Sequence, residues 1–351
     1  MQSIGYSYFA KSIYRFGGGK IWAEYYAFIS RRKLLANAKK AFEKKGTLGY
    51  FDDYKQALKK HWVSYSEYAK KYEFYKKTEE QRHEYVSTLK MGYFYRRFNP
   101  MKEKAIFREK PKFLEVYGDY VHRKWLYVPN ASFSEFEKMI TDYDCIAKPL
   151  DESRGIGICK IYKDDTEKNT QELYDFYVRN NYLLEQCIDN CKELKTLHPQ
   201  SLNTIRVVTI ANKEKACVFS GVLRAGVGDS VVDNSHAGGV SAQINVKTGI
   251  VETDGADSNG NRYEYHPDSN IKIKGFVIPY WDVIVKTCCE AAKRSSLPVV
   301  GWDVVPNDNG VIEIIEGNHR PDMDVMQVRY KAGVKKQLFA LIKEYCGIDM
   351  K

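Results

Sequence analysis

The first hundred residues carry apolar and aromatic side chains at three- and four-residue spacings among many lysines. This spacing places the apolar side chains on one helix face and predicts helices over residues 30–45, 51–77 and 79–90. Thr78 stands where the N-cap of the third helix is expected. Beyond Pro100 the pattern changes to short apolar runs bounded by turn residues, which is typical of mixed strands and helices.

The second part of the chain predicts three strand hairpins, because apolar runs there flank glycine- or asparagine-bearing turns. These hairpins cover residues 204–211 with 215–224, 240–246 with 250–253, and 299–306 with 311–316. Further strands are predicted at 144–150, 157–162 and 182–188, and helices at 171–180, 281–295 and 326–345. The pattern as a whole predicts an α+β protein preceded by a helical region.

Composition is that of a globular protein with room for two or three packed units. The 351 residues are 44% hydrophobic and 28% charged, and no run approaches the roughly 20 apolar residues that span a bilayer. No secretory signal pattern stands at the start of the chain. The eight cysteines resemble reduced thiols, and Cys187 and Cys191 lack the second ligand pair of a zinc site. We therefore expect a cytoplasmic protein.

The net charge of +10 favours an anionic partner such as a nucleotide, a nucleic acid, an acidic sugar or an anionic membrane surface. On charge alone, a solubilising surface is the stronger explanation. We expect no nucleic-acid partner, because no basic and aromatic recognition motif is present. The tyrosines of the helical region could pack a small core, or the basic region could rest on the inner face of a membrane with a lipid-linked substrate.

The hairpin at 299–306 and 311–316 carries two carboxylates among apolar residues. Closing its turn at Asn307 and Gly310 places Asp303 opposite Ile314. Glu316 then lies on the same face as Asp303, as a diagonal neighbour about 7–8 Å away. Two carboxylates at that separation can share a cation.

Asn318 continues on the face of Asp303 and Glu316, whereas Glu313 falls on the other face. Both faces of this hairpin are largely apolar, so buried carboxylates there need a counter-charge. Carboxylate and amide oxygens suit Mg²⁺, which keeps water and phosphate as its other ligands. The alternative is a solvated hairpin with its polar residues outside.

A lysine, Lys148, stands in the apolar strand at 144–150 and precedes a loop with Gly155 and Gly157. A buried lysine needs an anion, and glycines let backbone N–H groups approach a phosphate. The loop does not follow the P-loop pattern or the dinucleotide-binding pattern. A flap over phosphates and an ordinary hairpin are the two interpretations.

Two further strands carry candidate binding residues. The apolar strand at 182–188 contains Glu185. This suggests a hinge whose backbone and Glu185 hydrogen-bond to the edge of adenine, although an ordinary strand end is the more frequent explanation. Arg206 stands among β-branched residues on the strand at 204–211, and Arg224 lies on the next strand. A strand-central arginine needs an anionic partner, either a structural carboxylate or a substrate phosphate.

The order of these features resembles the ATP-grasp family from about Glu109 to the end of the closing helix predicted at 326–345. A lysine strand, a glycine loop, an acidic hinge, an arginine strand and a hairpin with Asp and Glu-x-Asn follow one another. Three stretches resemble signatures of the sugar-transfer associated ATP-grasp group: Ser-Leu-Asn-Thr-Ile-Arg at 201–206, Asp-Asn-Ser-His-Ala-Gly-Gly at 233–239, and Gly-Trp-Asp at 301–303 with Glu-Gly-Asn at 316–318.

The resemblance implies an ATP-grasp fold, in which two α+β subdomains grip ATP. Residues 1–100 would form the helical region, 101–190 the N-lobe with the glycine loop, and 191–351 the C-lobe with the metal site. The helical region does not resemble the βαβ pre-domain of many ATP-grasp ligases. Inference about the acceptor from those ligases is therefore unsafe.

The resemblance also implies roles for individual residues, with ATP and Mg²⁺ as cofactors. The residues expected to contact ATP are Lys110, Lys148, Ser153, Arg154, Gly155, Gly157, Glu185, Gln186, Cys187, Ile188 and, at the ribose, Glu193. Metal ligands would be Asp303, Glu316 and Asn318, and catalytic residues Arg206, Arg224 and Lys148. Arg154 departs from the family's usual glycine-rich loop.

By this resemblance we expect a carboxylate–amine ligase that forms an amide through an acyl phosphate. Its substrates would be a small carboxylate, such as a uronic acid or a sugar-linked acid, and an amine, in surface or capsular polysaccharide biosynthesis. A kinase on the same fold would use the same residues. A third hypothesis is a non-catalytic anion-binding protein.

Overall fold

The first hundred residues form helices around a tyrosine-rich core, in a computed structural model that describes residues 2–150, 157–165, 169–229, 238–258 and 261–350. The helices here are α1 Gln2–Lys44, α2 Phe51–His61, α3 Glu79–His83 and α4 Thr88–Phe98. Tyr54, Tyr68 and Tyr72 are buried, which confirms a tyrosine core, whereas Tyr50 and Tyr75 are exposed. Within the described residues, no helix has both the length and the apolar content that crossing a membrane requires.

The predicted helix at 51–77 is wrong as one continuous helix, because the chain breaks after His61 and is helical again only in short turns at Glu67–Lys71 and Phe74–Lys76. Trp62 adopts a left-handed backbone with φ of +62°, and its N–H donates to the Leu58 carbonyl at 3.0 Å, which ends α2. The chain restarts with a reciprocal cap, in which the N–H groups of Ser64 and Glu67 each donate to the other's side chain. The break lets the second half fold back onto the tyrosine core.

The predicted helix at 79–90 is likewise two helices. Thr78 caps α3 as expected, in a capping box with Gln81. The chain leaves the helix after His83, and Ser87 caps α4 by accepting from the Lys90 N–H. Between the two helices, Val86 is hydrogen-bonded through both its N–H and its carbonyl to a distant glutamine side chain, and Ser87 is extended.

Further helices lie among the strands and after them. They are α5 Met101–Arg108, α6 Lys110–Val116, α7 Phe133–Asp142, α8 Thr170–Arg179, α9 Lys192–Lys195, α10 Trp281–Arg294, α11 Asp324–Tyr330 and α12 Lys335–Cys346. The single helix predicted at 326–345 is wrong, because Lys331 takes a left-handed φ of +53° and ends α11.

The strands form two antiparallel sheets. They are β1 Trp125–Tyr127, β2 Cys145–Pro149, β3 Cys159–Ile161, β4 Tyr182–Gln186, β5 Ile205–Ala211, β6 Ala216–Ala225, β7 Val240–Ile244, β8 Gly255–Ala256, β9 Arg262–Tyr263, β10 Val299–Pro306 and β11 Ile312–Asn318. The small sheet has the order β1-β4-β2-β3 and the large sheet the order β11-β10-β5-β6-β7-β8-β9. The predicted strand at 250–253 forms only isolated bridges, and β8 pairs with β7 instead.

The two faces of the large sheet have different neighbours. One face, which includes Ile205 and Val207, packs against α10 in the main hydrophobic core. The other face packs against α4 and α12 around Val208 and Ile210. Polar residues occupy the remainder of this second face, where the small sheet lies across from it and a cleft opens between the two sheets.

Candidate active site

A cleft of about 1460 Å³ separates the two sheets. Its floor is one face of the large sheet, where neighbouring strands place polar side chains in a row. We use the term cleft floor for Thr204, Arg206, Val222, Arg224, Ser241, Asp303, Glu316 and Asn318, all of which line the cleft. The small sheet contributes the opposite wall, with Lys148, Lys160 and Glu185.

The two predicted metal-binding carboxylates lie directly opposite each other. Asp303 on β10 pairs with Glu316 on β11, so the predicted pairing of Asp303 with Ile314 is wrong. The turn closes one residue later than expected, since Asn307 donates to the carbonyl of Val311 at 3.0 Å. A β-bulge then adds a further residue. The carboxylates are therefore direct cross-strand neighbours and closer than predicted.

Asp303 is held by two arginines of adjacent strands. Arg206 contacts Asp303 through two donors: its Nε donates to Oδ1, and its Nη2 donates to Oδ2 at 2.6 Å. The Nη1 of Arg224 donates to the same Oδ2 at 3.2 Å. Burial opposes ionisation, but the two guanidinium groups hold the pKa of Asp303 well below its usual range. Of the two partners considered for Arg206, the structure shows the structural carboxylate, Asp303.

Glu316 is the open member of the carboxylate pair. Its side chain is 56% exposed to the cleft, yet the cleft walls and the nearby charge of Asp303 raise the pKa of Glu316. Asn318 is close by, and its Oδ1 accepts the Arg320 N–H at 2.9 Å, which leaves a second lone pair on that oxygen. Opposed carboxylates with mutual repulsion and an amide oxygen fit a hard divalent cation.

Glu185 and Lys148 meet on the opposite wall. Lys148 forms an ion pair with Glu185, and Arg123 donates its Nε to the same carboxylate at 2.9 Å. Although burial alone would raise it, Lys148 and Arg123 lower the pKa of Glu185 to about 2. The carboxylate that the sequence suggested for reading adenine is thus already engaged by two cations.

The remaining hinge residues, Gln186, Cys187 and Ile188, line the cleft. The backbone N–H groups of Gln186 and Cys187 donate to Lys124 and Asp144 carbonyls at 2.8 and 2.7 Å. These two N–H groups therefore hold the hinge in place. The hinge faces the cleft beside Lys148, and the family resemblance implies contacts with ATP there.

Other predicted nucleotide contacts differ in their placement. Lys110 lines the cleft, and burial together with Lys148 lowers its pKa. Gly157 has a φ of +74°, and a Cβ there would lie 3.0 Å from Pro149. Glu193 is exposed at the start of α9 and does not line the cleft. Ser153, Arg154 and Gly155, and residues 233–237 of the second signature, lie outside the described residues.

Several cleft residues were missed at the level of sequence. Arg123 precedes β1 in a stretch with no recognisable pattern, yet it is buried between Glu185 and Glu313. Lys160 on β3 was visible as a cation in the strand after the glycine loop. Lys71 and Arg329 reach the cleft from helical segments far apart in the chain, and no local pattern signals that.

The family model for sugar-transfer associated ATP-grasp proteins matches residues 90–343. Curated protein sequences give no match. Three solved structures have low similarity to this chain. The ATP-grasp ligase PsnB, complexed with a phosphomimetic variant of its minimal precursor, Mg and ADP, is 13% identical over 76% of this chain and 69% of that chain, with a TM-score of 0.44. Biotin carboxylase from Campylobacter jejuni is 11% identical over 69% of this chain and 46% of that chain (TM-score 0.43), and D-alanine–D-alanine ligase from Bacillus anthracis is 14% identical over 70% and 69% (TM-score 0.38). Likenesses this weak carry no inference about the reaction.

Proposed function

The chain belongs to the sugar-transfer associated ATP-grasp family, and from this premise we propose that it is an ATP- and Mg²⁺-dependent carboxylate–amine ligase. The observation that carries the proposal is the directly opposed pair Asp303 and Glu316 in a wide, cation-rich cleft. Arg206 and Arg224 already compensate the charge of Asp303, so a bound cation would chiefly compensate Glu316, whose pKa is raised by burial and by Asp303.

Asp303, Glu316 and Asn318 would hold Mg²⁺, and Lys110, Lys148 and the 185–188 hinge would hold ATP. When bound, ATP supplies the phosphoryl group that activates a carboxylate as an acyl phosphate, and Mg²⁺ neutralises phosphate charge. Glu185 orients the Lys148 ammonium toward the cleft through an ion pair, and Arg123 holds Glu185 from behind.

Arg206 and Arg224 lie on the cleft floor beside Asp303. Their fixed guanidinium groups offer paired donors to a substrate carboxylate or to an acyl phosphate at the middle of the floor. Catalysis then depends on the positioning of the two substrates and on the preorganised positive charges of the arginines and the metal, and the protein forms no covalent intermediate.

We further propose an acidic sugar as the carboxylate substrate and surface polysaccharide biosynthesis as the pathway, on the basis of the family. A cytoplasmic location is consistent with the eight free cysteines. Contact of the basic N-terminal region with a membrane that carries a lipid-linked acceptor stays a hypothesis.

The test is Mg²⁺-dependent ATP turnover by the purified protein, with uronic acids and amino acids offered together and singly. We expect ADP and free phosphate only when both co-substrates are present. Asp303→Asn and Glu316→Gln should each abolish turnover, while Asp308→Asn, in the exposed turn of the same hairpin, should not.

Two outcomes would contradict the ligase. ADP formation with one acceptor and no free phosphate would identify a kinase. Absence of Mg-ATP binding in an equilibrium titration would leave an anion-binding protein without catalysis.

A further inference from the structure

The cleft floor extends well beyond the carboxylate pair. Asp303 on β10, Arg206 on β5, Val222 on β6 and Gln243 on β7 are successive cross-strand partners, and Arg224 faces Ser241 on the same two strands β6 and β7. Three strand spacings separate β10 from β7, which amounts to roughly 14 Å. A substrate that reaches from the carboxylates to Ser241 is therefore elongated.

Arg329 of α11 covers this far end. Its Nη2 donates to the Ser241 Oγ and to the Ala256 carbonyl, both at 2.8 Å, and these two hydrogen bonds fix the guanidinium over the sheet. Its Nε is buried without a hydrogen-bond partner. Among the described residues, no carboxylate forms an ion pair with Arg329.

The acidic groups nearest to Arg329 are engaged elsewhere. Asp257 accepts from the Asn261 Nδ2 at 2.8 Å and from the Tyr263 hydroxyl at 3.3 Å. Asp324 forms an ion pair with Lys71. Burial and the neighbouring Arg262 lower the pKa of Arg329, partly offset by the charges of Asp257 and Asp324.

A half-buried guanidinium without a contacting anion is unfavourable until a ligand supplies one. Arg224 and Arg262 are cations and cannot supply that anion, and the charge of Arg262 adds to the positive potential at Arg329. The Nη1 group of Arg329, for which the described residues provide no hydrogen-bond partner, is the donor that an anion in the cleft can reach.

We propose that Arg329 binds a second anionic group of the acceptor, a carboxylate or a phosphate, at the far end of the cleft floor. The inference rests on the proposed function and adds a substrate class to it: an elongated acceptor with an anionic group at each end. Arg329 is then a specificity-determining residue, and the metal site is untouched by it.

The experiment is a calorimetric titration of the wild-type protein saturated with Mg-ADP, which blocks the nucleotide site. The probes are glucuronate as the monoanion, digalacturonate with two carboxylates, and UDP-glucuronate with a carboxylate and a diphosphate. We expect a dianion to bind more tightly than glucuronate. Arg329→Gln should weaken the dianion by roughly ten- to a hundred-fold and leave glucuronate unchanged.

Arg262→Gln is the matched control, because it removes a nearby arginine that does not line the cleft. A loss confined to digalacturonate or to UDP-glucuronate identifies the second group as a carboxylate or a phosphate. The proposal is overturned if neither dianion binds more tightly than glucuronate, or if Arg329→Gln weakens all three probes equally. Failure to bind Mg-ADP would instead contradict the proposed function itself.

Discussion

Arg123 is a single guanidinium that links the two walls of the cleft. Its Nε and NH2 reach Glu185 on the small sheet, and its NH1 reaches Glu313 on the large sheet. It also donates to the carbonyl of Ile315, the residue inserted at the β-bulge, at 3.0 Å. The same side chain therefore links the small-sheet wall of the cleft to the bulge that sets Glu316 opposite Asp303.

Glu185 should make stability depend on pH in the acid range. Its folded pKa of about 2 lies below the unfolded value of 4.5, so its stabilisation is complete above pH 4.5 and is lost as pH falls toward 2. The difference corresponds to about 3 kcal/mol. Urea unfolding should show that Glu185→Gln is less stable than wild type at pH 7, with the gap narrowing below pH 4.5.

Glu193→Gln is the control for this measurement, since Glu193 is exposed. A gap between wild type and Glu185→Gln that stays constant from pH 7 to pH 3 would contradict the ion-pair account.

Residue-level chemistry was predictable where a residue type is out of place in its own segment. Asp303 and Arg206 stand in apolar strands, so each had to have a polar partner, and the structure makes them partners of each other. Arg123 and Arg329 stand in unremarkable helical or loop sequence. Nothing local distinguishes them from solvated surface arginines.

At the scale of elements, the β10–β11 hairpin shows which features hydrophobic periodicity predicts and which it does not. The alternation of apolar residues predicted both strands, but the face predicted for Glu313 is wrong. Glu313 pairs with Val305, which lies on the same face as Asp303. The register differs because a bulge and a shifted turn add residues that alternation does not reveal. The helix breaks at Trp62 and Lys331 have the same origin, since both residues are compatible with helix by propensity.

The turn between α11 and α12 should tolerate no side chain at Gly333. A Cβ there would lie 2.1 Å from the backbone oxygen of Glu84, a group that also accepts the Lys335 N–H at 2.9 Å. We expect Gly333→Ala to lower the free energy of unfolding by about 1–3 kcal/mol, measured by urea unfolding.

Gly118→Ala is the matched substitution, because no atom lies within 4 Å of a Cβ at that position. Equal stability of the two variants would show that the contact between the turn and Glu84 does not form.

At the scale of the whole molecule, the helical region and the sheet region share one core. Met91, Phe94 and Tyr95 of α4 pack with Val208 of β5 and Leu338 of α12. The Tyr95 hydroxyl donates to the Pro321 carbonyl, and Asn99 donates to the His319 carbonyl, both at 2.8 Å. The helical region thereby holds the segment that directly follows Asn318.

Gln327 should couple the unfolding of these regions. It is fully buried, and its amide pairs with both the N–H and the carbonyl of Val86 at 2.9 and 2.8 Å. Gln327→Met leaves the Val86 N–H unpaired and its carbonyl with only the Tyr72 hydroxyl as donor, and we expect a loss of about 1–3 kcal/mol. Circular dichroism and tyrosine fluorescence should report one shifted urea transition.

Gln171→Met, on the exposed face of α8, should leave the transition in place. Two separate transitions in wild type or in Gln327→Met would contradict a shared core.

The amino-acid sequence was sufficient for most strands, for the mixed fold and for the candidate ligands. Those features depend on short-range periodicity and on residue types that are unfavourable in their own segments without a partner. The pairing of Asp303 with Glu316, the junction at Arg123 and the end of the cleft at Arg329 required the tertiary structure. Each of these brings together segments that are distant in the chain or shifted in register, and only the packing of the two sheets and the N-terminal helices determines which of them meet.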